Sequence, residues 1–389
     1  MKPPGQNPPR VAGNRNCDIR AVSLQELLDT QVNAWAILVG DREVAAPFLD
    51  SRWIETYREI CAPDTLRTAA AREGGRLVGV AVLNEARRRF FGYPIRVAQS
   101  PTFDWLSRYE FLAEGGRARV LEDLWRFWLT SGLFDEIQLE LIAEDSETLQ
   151  AGLRVATELD WTAISEVTCR SPWLRLPDSP EDLDRGLKSK FKANLRNRER
   201  RLSQLGKVRF EVVRDPARFQ EAMEVFYALE SQGWKGRANT SIEQRPQVRK
   251  FYDALVARVP DQVWVPILSL NDKPIAAQFI RTFGETVYLL KIGFDPDFAP
   301  YSPGQLITAR TLAYAIAERM KAFDFLGEQM TWKMDWNPEL RSFCRLVLFS
   351  PKPAGRYAWW TSFGYREALK RIPGLYPLAQ RLRGSKGHA

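Results

Sequence analysis

The same order of helix and strand signals runs through this chain twice, and a repeat of that kind restricts the fold more than any single motif. In the first half, SLQELLDTQVNAW and PFLDSRWIETYREI read as helices, and LRTAAAREGGRLVGVAVL reads as a hairpin turning at Gly74 and Gly75. In the second half, ARFQEAMEVFYALE and RPQVRKFYDALVARV are the helices, and VWVPILSLNDKPIAAQFI is the hairpin, turning at Asn271 and Asp272. Further on, VLEDLWRFWLTSGLFDEIQLELI corresponds to LITARTLAYAIAERMKAFDFLGE, and a Phe-Asp pair recurs as Phe134-Asp135 and Phe323-Asp324. Counterparts lie roughly 190 to 197 residues apart, as in tandem domains of one fold. Each half predicts two helices, an antiparallel hairpin, a further strand, a helix packed on the sheet and another strand. The expected class is α+β: tandem domains, each a mixed, mostly antiparallel sheet with helices on both faces. The expected boundaries are a polar tail over 1–16, domains over 17–175 and 181–350, and a basic, aromatic segment over 351–389. The proline-rich stretch SPWLRLPDSP, after a strand from Thr162 to Arg170, reads as the junction.

The two halves part company at one helix start. The short apolar run from Val287 to Ile292, bounded by Gly284 and Gly293, predicts a buried strand. After it, Ser302, Pro303 and Gln305 form a Ser-x-x-Gln capping box with proline at the first helical position. Leu306, Ala309, Ala313, Ile316, Ala317 and Met320 then give the helix one apolar face. The next strand, Ala322 to Leu326, ends in Gly327 and Glu328. Backbone N–H groups at Gly304, Gln305 and Leu306 are expected to be unpaired and, with the helix dipole, to favour a phosphate or pyrophosphate. The corresponding stretch of the first half, GGRARVLED, has no such turn. Donor binding is therefore expected in the second half.

Composition narrows the chemistry. The only histidine is His388, next to the end, which leaves no place for Ser-His-Asp or Cys-His nucleophilic schemes or for histidine metal sites. No metal is expected, and proton transfer falls to Glu, Asp, Tyr, Lys or water. Four separated cysteines, Cys17, Cys61, Cys169 and Cys344, read as free thiols. The formal charge of +8 suggests an anionic partner. From Arg185 to Arg214, eleven Lys or Arg face only Glu199 and Glu211, and a basic helix is expected over 185–205 with Phe191, Leu195, Leu202 and Leu205 on one face. It reads either as a solvated helix or as a docking surface for phosphates, including those of RNA. Without an apolar leader or a spanning segment, the chain is expected in the cytoplasm. Residues 355–383 mix Trp359, Trp360, Phe363, Leu369 and Ile372 with Lys370, Arg371, Arg381 and Arg383. That mixture suits peripheral contact with the inner face of a membrane, or packing over the second half.

At this point the residues resemble a known family. The order of elements resembles the GNAT acyltransferase fold. The string KIGFDPDFAPYSPGQLITARTLAYAIAERMKAFDFLGEQMTWKMDW looks like the signature of FemAB-related, CelD-like GNAT proteins of cellulose and exopolysaccharide synthesis. Gly293, Phe294 and Asp295 match its first turn, Tyr301, Ser302, Pro303 and Gly304 its helix start, Asp324, Phe325 and Leu326 its strand, and Lys333 and Trp336 its closing loop. The basic stretch SKFKANLRNRERRL and the triplet Trp234, Lys235 and Gly236 resemble two further elements. The family's Tyr before the lysine is Trp332 here, so a phenolic acid cannot act at that position, and the GNAT pyrophosphate loop Arg/Gln-x-x-Gly-x-Gly/Ala is reduced to Ser302-Pro303-Gly304.

What the resemblance implies is transfer of an acyl group from acetyl-CoA or another acyl-CoA to an amine or hydroxyl of a small molecule or glycan precursor. Two alternatives stay open: a FemAB-type transferase using aminoacyl-tRNA, and a non-catalytic scaffold in a polysaccharide synthase complex. Such a transferase needs no nucleophilic side chain, only positioning, one base and a donor to the carbonyl oxygen. Glu328 is the first candidate base and Glu230 the second, against an ion pair of Glu328 with Lys333. Tyr301 or Tyr288 is the candidate acid for the leaving thiolate. Lys291, Ile292, Ser302, Gly304, Gln305 and Leu306 are the candidate donor-site residues. Trp234, Lys235, Trp332, Lys333 and Trp336 are the candidate acceptor contacts, against ordinary packing for the tryptophans.

Overall fold

The computed structural model describes residues 17–40, 46–62, 64–90, 92–103, 107–232 and 242–364. The expected tail over 1–16 and the C-terminal segment beyond 364 lie outside the described residues. The first half contributes β1 (Cys17–Val22), β2 (Leu66–Glu73), β3 (Arg76–Phe90), β4 (Tyr93–Gln99), β5 (Leu112–Ala113), β6 (Glu136–Ala143) and β7 (Thr162–Arg175). The second contributes β8 (Val208–Val213), β9 (Val263–Leu270), β10 (Lys273–Phe283), β11 (Thr286–Phe294), β12 (Ala322–Asp324) and β13 (Glu339–Phe349). One sheet runs through both halves in the order β1-β2-β3-β4-β6-β13-β7-β12-β11-β10-β9-β8, with β5 on β3. The last strand, β13, lies between β6 and β7, so the end of the chain completes the sheet of its beginning. The fold is α+β, and the internal repeat is real.

Local chemistry explains where the repeat could be read. Both hairpins turn where expected, on consecutive left-handed residues: Gly74 (φ 56°) and Gly75 (φ 85°), and Asn271 (φ 50°) and Asp272 (φ 65°). These turns match the right-handed twist of the strands they join, which is why glycine, asparagine and aspartate occupy them. In each half the hairpin is followed by a parallel pair, β4 with β6 and β11 with β12. A helix on the sheet joins the two strands of each pair: Ala118–Thr130 in the first half and Pro303–Ala317 in the second.

Several boundaries move. The first expected helix is two, Leu24–Thr30 and Val32–Gly40, and the second begins as a short Ala46–Leu49 turn before Ser51–Cys61. The junction SPWLRLPDSP is not a linker at its start. β7 runs on through Pro172 to Arg175, because that stretch pairs with β13 on one side and β12 on the other. The basic helix spans Ser189–Ser203 and buries Phe191 and Leu202, whereas Leu205 lies past its end and is exposed. The four cysteines are free thiols. No helix among the described residues is long and apolar enough to cross a membrane.

The halves are bonded to each other through buried groups. Phe103 stacks on Phe251 at 3.9 Å between ring centres. Arg281, fully buried, pairs with Asp50 and donates to the Pro47 carbonyl and to Gln262. Arg108, from the segment after β4, donates to both carboxylate oxygens of Asp324 at the end of β12 (2.5 and 2.9 Å) and to Ser171 Oγ (3.0 Å).

Candidate active site

The chemistry of the second half starts from the way β11 loses its partners. Its parallel neighbour β12 pairs only with Thr286, Val287 and Tyr288, after which the two strands diverge. On the other edge, Phe279 pairs with Lys291 and Ile280 with Leu289, so Leu290 is the extra residue of a β-bulge. Bulges redirect a strand and free backbone groups, and they gather beside active sites. From Leu289 to Phe294, then, β11 offers one edge of its backbone to a cleft of about 470 Å³.

Four walls enclose that cleft. The first is β11 itself, Leu289 to Phe294. The second is the start of the Pro303–Ala317 helix, with Ser302, Pro303, Gly304 and Gln305, and the third is Leu229 and Glu230 at the end of the Phe219–Gln232 helix. That helix comes in against Gly293, where an added Cβ would stand 2.5 Å from Glu230 N and 2.7 Å from Glu230 Cα; only glycine fits. The fourth wall, Phe325, Leu326, Met330, Trp332 and Lys333, follows β12.

The helix start is built differently from the expected capping box. Ser302 sits at φ 49°, in the left-handed region, and its side chain caps nothing. Its carbonyl instead accepts from the N–H groups of Gln305 (2.9 Å) and Leu306 (3.1 Å). Those two N–H groups are therefore not available to a ligand, and Leu306 is buried in the core away from the cleft. Gly304 is left with no backbone acceptor among the described residues, so the anion site is narrower than the sequence implied. Asp295 performs the capping one turn earlier, accepting from the Asp297 N–H at 3.0 Å at the head of the Pro296–Tyr301 turn. The Gln305 amide turns inward, donating to the Trp332 carbonyl (3.0 Å) and Asp335 (3.2 Å) and accepting from Trp336 Nε1 (2.8 Å). A second inward chain, Gln278 with Thr308 and Thr311, ties the same helix to β10.

The fourth wall is clamped. β12 ends at Asp324, two residues sooner than expected, because Leu326 takes a left-handed conformation (φ 51°) and Gly327 follows it (φ 59°). A leucine held there costs free energy and needs surroundings that impose it. The Leu326 N–H donates to Asp324 Oδ1 at 2.9 Å, and Lys333 Nζ donates to the carbonyls of Leu326 (2.5 Å) and Glu328 (3.0 Å). Arg108 holds Asp324 from the other half.

This arrangement sorts the candidate residues. Lys291, Ile292, Ser302, Gly304, Gln305, Glu230, Trp332 and Lys333 line one cleft. Glu328 does not: the early end of β12 carries it outward, where its side chain is exposed and its carbonyl binds Lys333. The expected Glu328–Lys333 link is thus a hydrogen bond to backbone. Tyr301 lies outside the cleft, its ring 5.2 Å from the Arg201 guanidinium, and buried Tyr288 has its phenol pushed up by desolvation. Trp336 is a core residue, edge-on to Phe191, and not an acceptor wall. Trp234 and Lys235 lie outside the described residues. Glu230 is buried, its Oε2 accepting from the Ile242 N–H at 2.9 Å. The bulge at Leu290 and the Arg108–Asp324–Leu326 chain carried no signal in the sequence beyond the Phe-Asp pair.

With this geometry in view, comparison with known proteins is informative. Residues 189–334 match the family described as Acetyltransferase (GNAT) domain. The crystal structure of FemX is similar over 89% of this chain and 99% of its own, with 12% identity and a TM-score of 0.60. A conserved protein of unknown function from Bacteroides thetaiotaomicron VPI-5482 is similar over 85% of this chain and 99% of its own, with 11% identity and a TM-score of 0.55. At such identities the likeness is one of fold. No curated protein matches the chain in sequence.

Proposed function

We propose that this tandem GNAT fold is a transferase that moves an acyl group from a coenzyme A thioester, taken up in the β11/β12 cleft, to an amine or hydroxyl acceptor. The observation that carries the reading is the unpaired edge of β11 running from the bulge at Leu290 toward the helix start at Gly304. The residues suit such a donor. An extended chain can bond to a free strand edge, and a diphosphate fits a helix N-terminus. Gly304 leaves room: a Cβ there would meet only Ile292 and Phe294 side chains, at 3.6 Å, so the protein itself does not require glycine.

The thioester supplies an acyl carbonyl open to nucleophilic attack. The backbone N–H groups along Leu289 to Ile292 are placed to orient the donor and to polarise the carbonyl oxygen, which is where preorganised donors lower a barrier most. Glu230, across the cleft on the Phe219–Gln232 helix, is the assigned base that takes the acceptor's proton. The acceptor class we assign, a sugar or cell-envelope precursor, rests on the CelD-like resemblance of the sequence.

Calorimetric titration with acetyl-CoA and free CoA tests the reading. Binding is expected in the wild type, retained in Gly304→Ala and lost in Gly304→Asp, whose carboxylate repels the diphosphate; no binding to the wild type would end the proposal. Glu230→Gln should keep donor binding while kcat falls by about 10²- to 10⁴-fold, the usual contribution of a positioned base.

One observation favours a second reading. The basic Ser189–Ser203 helix packs beside the turn that opens the cleft, with Arg201 over Tyr301. An aminoacyl-tRNA donor would use that surface, and its binding would weaken steeply with salt. Tight, salt-dependent tRNA binding without CoA binding would replace the first reading by this one.

A further inference from the structure

The lining of the cleft bears on which acyl group it takes. Three of its polar side chains are already engaged with the protein: Lys333 with two carbonyls, Gln305 with Trp332, Asp335 and Trp336, and Glu230 with the Ile242 N–H. What remains along the inner end is hydrocarbon. Leu229, Leu290, Phe325 and Leu326 are each less than 5% exposed, yet all four face the cavity. Leu326 reaches that position only because Asp324 and Lys333 hold its backbone left-handed. A strained backbone that presents an apolar side chain to a cavity is informative about the ligand, since such strain persists where function uses it.

An acetyl group would cover little of this surface. We propose that the cleft takes a thioester whose acyl group is a medium-length alkyl chain, lodged among Leu229, Leu290, Phe325, Leu326 and Met330. The assignment rests on the thioester reading above and adds a substrate class to it. The driving force is burial of the chain against side chains already withdrawn from water. Met330 forms the mouth of this end and is 45% exposed, so chains longer than the cleft have an exit past a side chain that adapts readily.

Titration calorimetry with free CoA and with acetyl-, butyryl-, hexanoyl- and octanoyl-CoA is the test. Each methylene that enters the cleft should lower Kd by about fourfold, the equivalent of ~0.8 kcal/mol per buried CH₂, until the cleft is full. Met330→Asp, at a residue exposed enough to tolerate the change, should shrink the ratio of acetyl to hexanoyl Kd severalfold. Equal affinity for all the thioesters would overturn the alkyl-chain assignment and leave the donor site standing. A length dependence unaltered in Met330→Asp would also overturn it, since the chain would then lie elsewhere. Failure of every CoA species to bind would instead remove the underlying reading.

Discussion

The two parallel strand pairs began as copies and now do opposite things. In the first half, β4 pairs with β6 at Val97 to Gln99, and the chain that follows closes the gap beyond. Ser100 N–H donates to the Gln138 carbonyl, Glu140 N–H to Ser100 Oγ, and Tyr109 N–H to the Leu141 carbonyl, while β13 covers the far edge of β6. In the second half, β11 and β12 separate after Tyr288 and Asp324, and the gap stays open as a cleft. The difference teaches that the fold supplies a gap in both halves, and that the segment following the first strand decides whether it becomes a site. The closing segment of the first half also serves the second, because it carries Arg108 to Asp324 and so braces the wall of the open cleft.

Breaking that brace should give the largest effect. Arg108 is 3% exposed and Asp324 is fully buried, and removing one partner of a buried pair typically costs about 3 to 5 kcal/mol. Arg108→Leu is expected to lower stability by that order in urea unfolding and to weaken donor binding as Leu326 loses its fixed acceptor. If donor affinity is untouched in folded protein, the first half does not support the second-half site. A smaller loss is expected from Gly293→Ala, whose methyl would press on the backbone of Glu230. Overpacking of this kind costs about 1 to 3 kcal/mol, and here it also pushes the base-bearing helix off β11, so kcat should fall more than stability suggests. An unchanged kcat would mean that the Phe219–Gln232 helix is not part of the machinery.

The smallest effect concerns the first half alone. Hydrogen bonds from Arg76 and then Arg117 hold the Glu114 carboxyl down at about 2. Because the folded value is depressed, this contribution is present above the ordinary value of 4.5 and is lost as pH falls from there toward 2. Glu114→Gln should therefore flatten the acid limb of a stability-against-pH curve slightly without altering donor binding. A change in donor affinity would show that the halves are coupled through more than Arg108.

How much of this could be read from the sequence depended on how local the cause was. The hairpin turns were legible because Gly74-Gly75 and Asn271-Asp272 specify their own backbone conformation. The helix start was legible in place but not in detail. The pattern Ser-x-x-Gln promised a capping box, but packing gives Ser302 a left-handed backbone and draws Gln305 toward Trp336. Glu328 was preferred over Glu230 because it followed a strand by count, and a strand that ends early at Asp324 carries it into solvent. The Arg108–Asp324 pair joins residues 216 positions apart, and no local pattern marks such a partner. The place of β13 between β6 and β7 is hidden for the same reason.

Hydrogen exchange with and without a bound coenzyme A thioester tests the central claim most directly, because it reports both halves in one experiment. The account predicts slowed exchange at residues 289–294, around Gly304 and over 325–333, with no protection over 97–111. Protection of 97–111, or an unchanged pattern at 289–294 under saturating ligand, would contradict the assignment of a single open donor site to the second half.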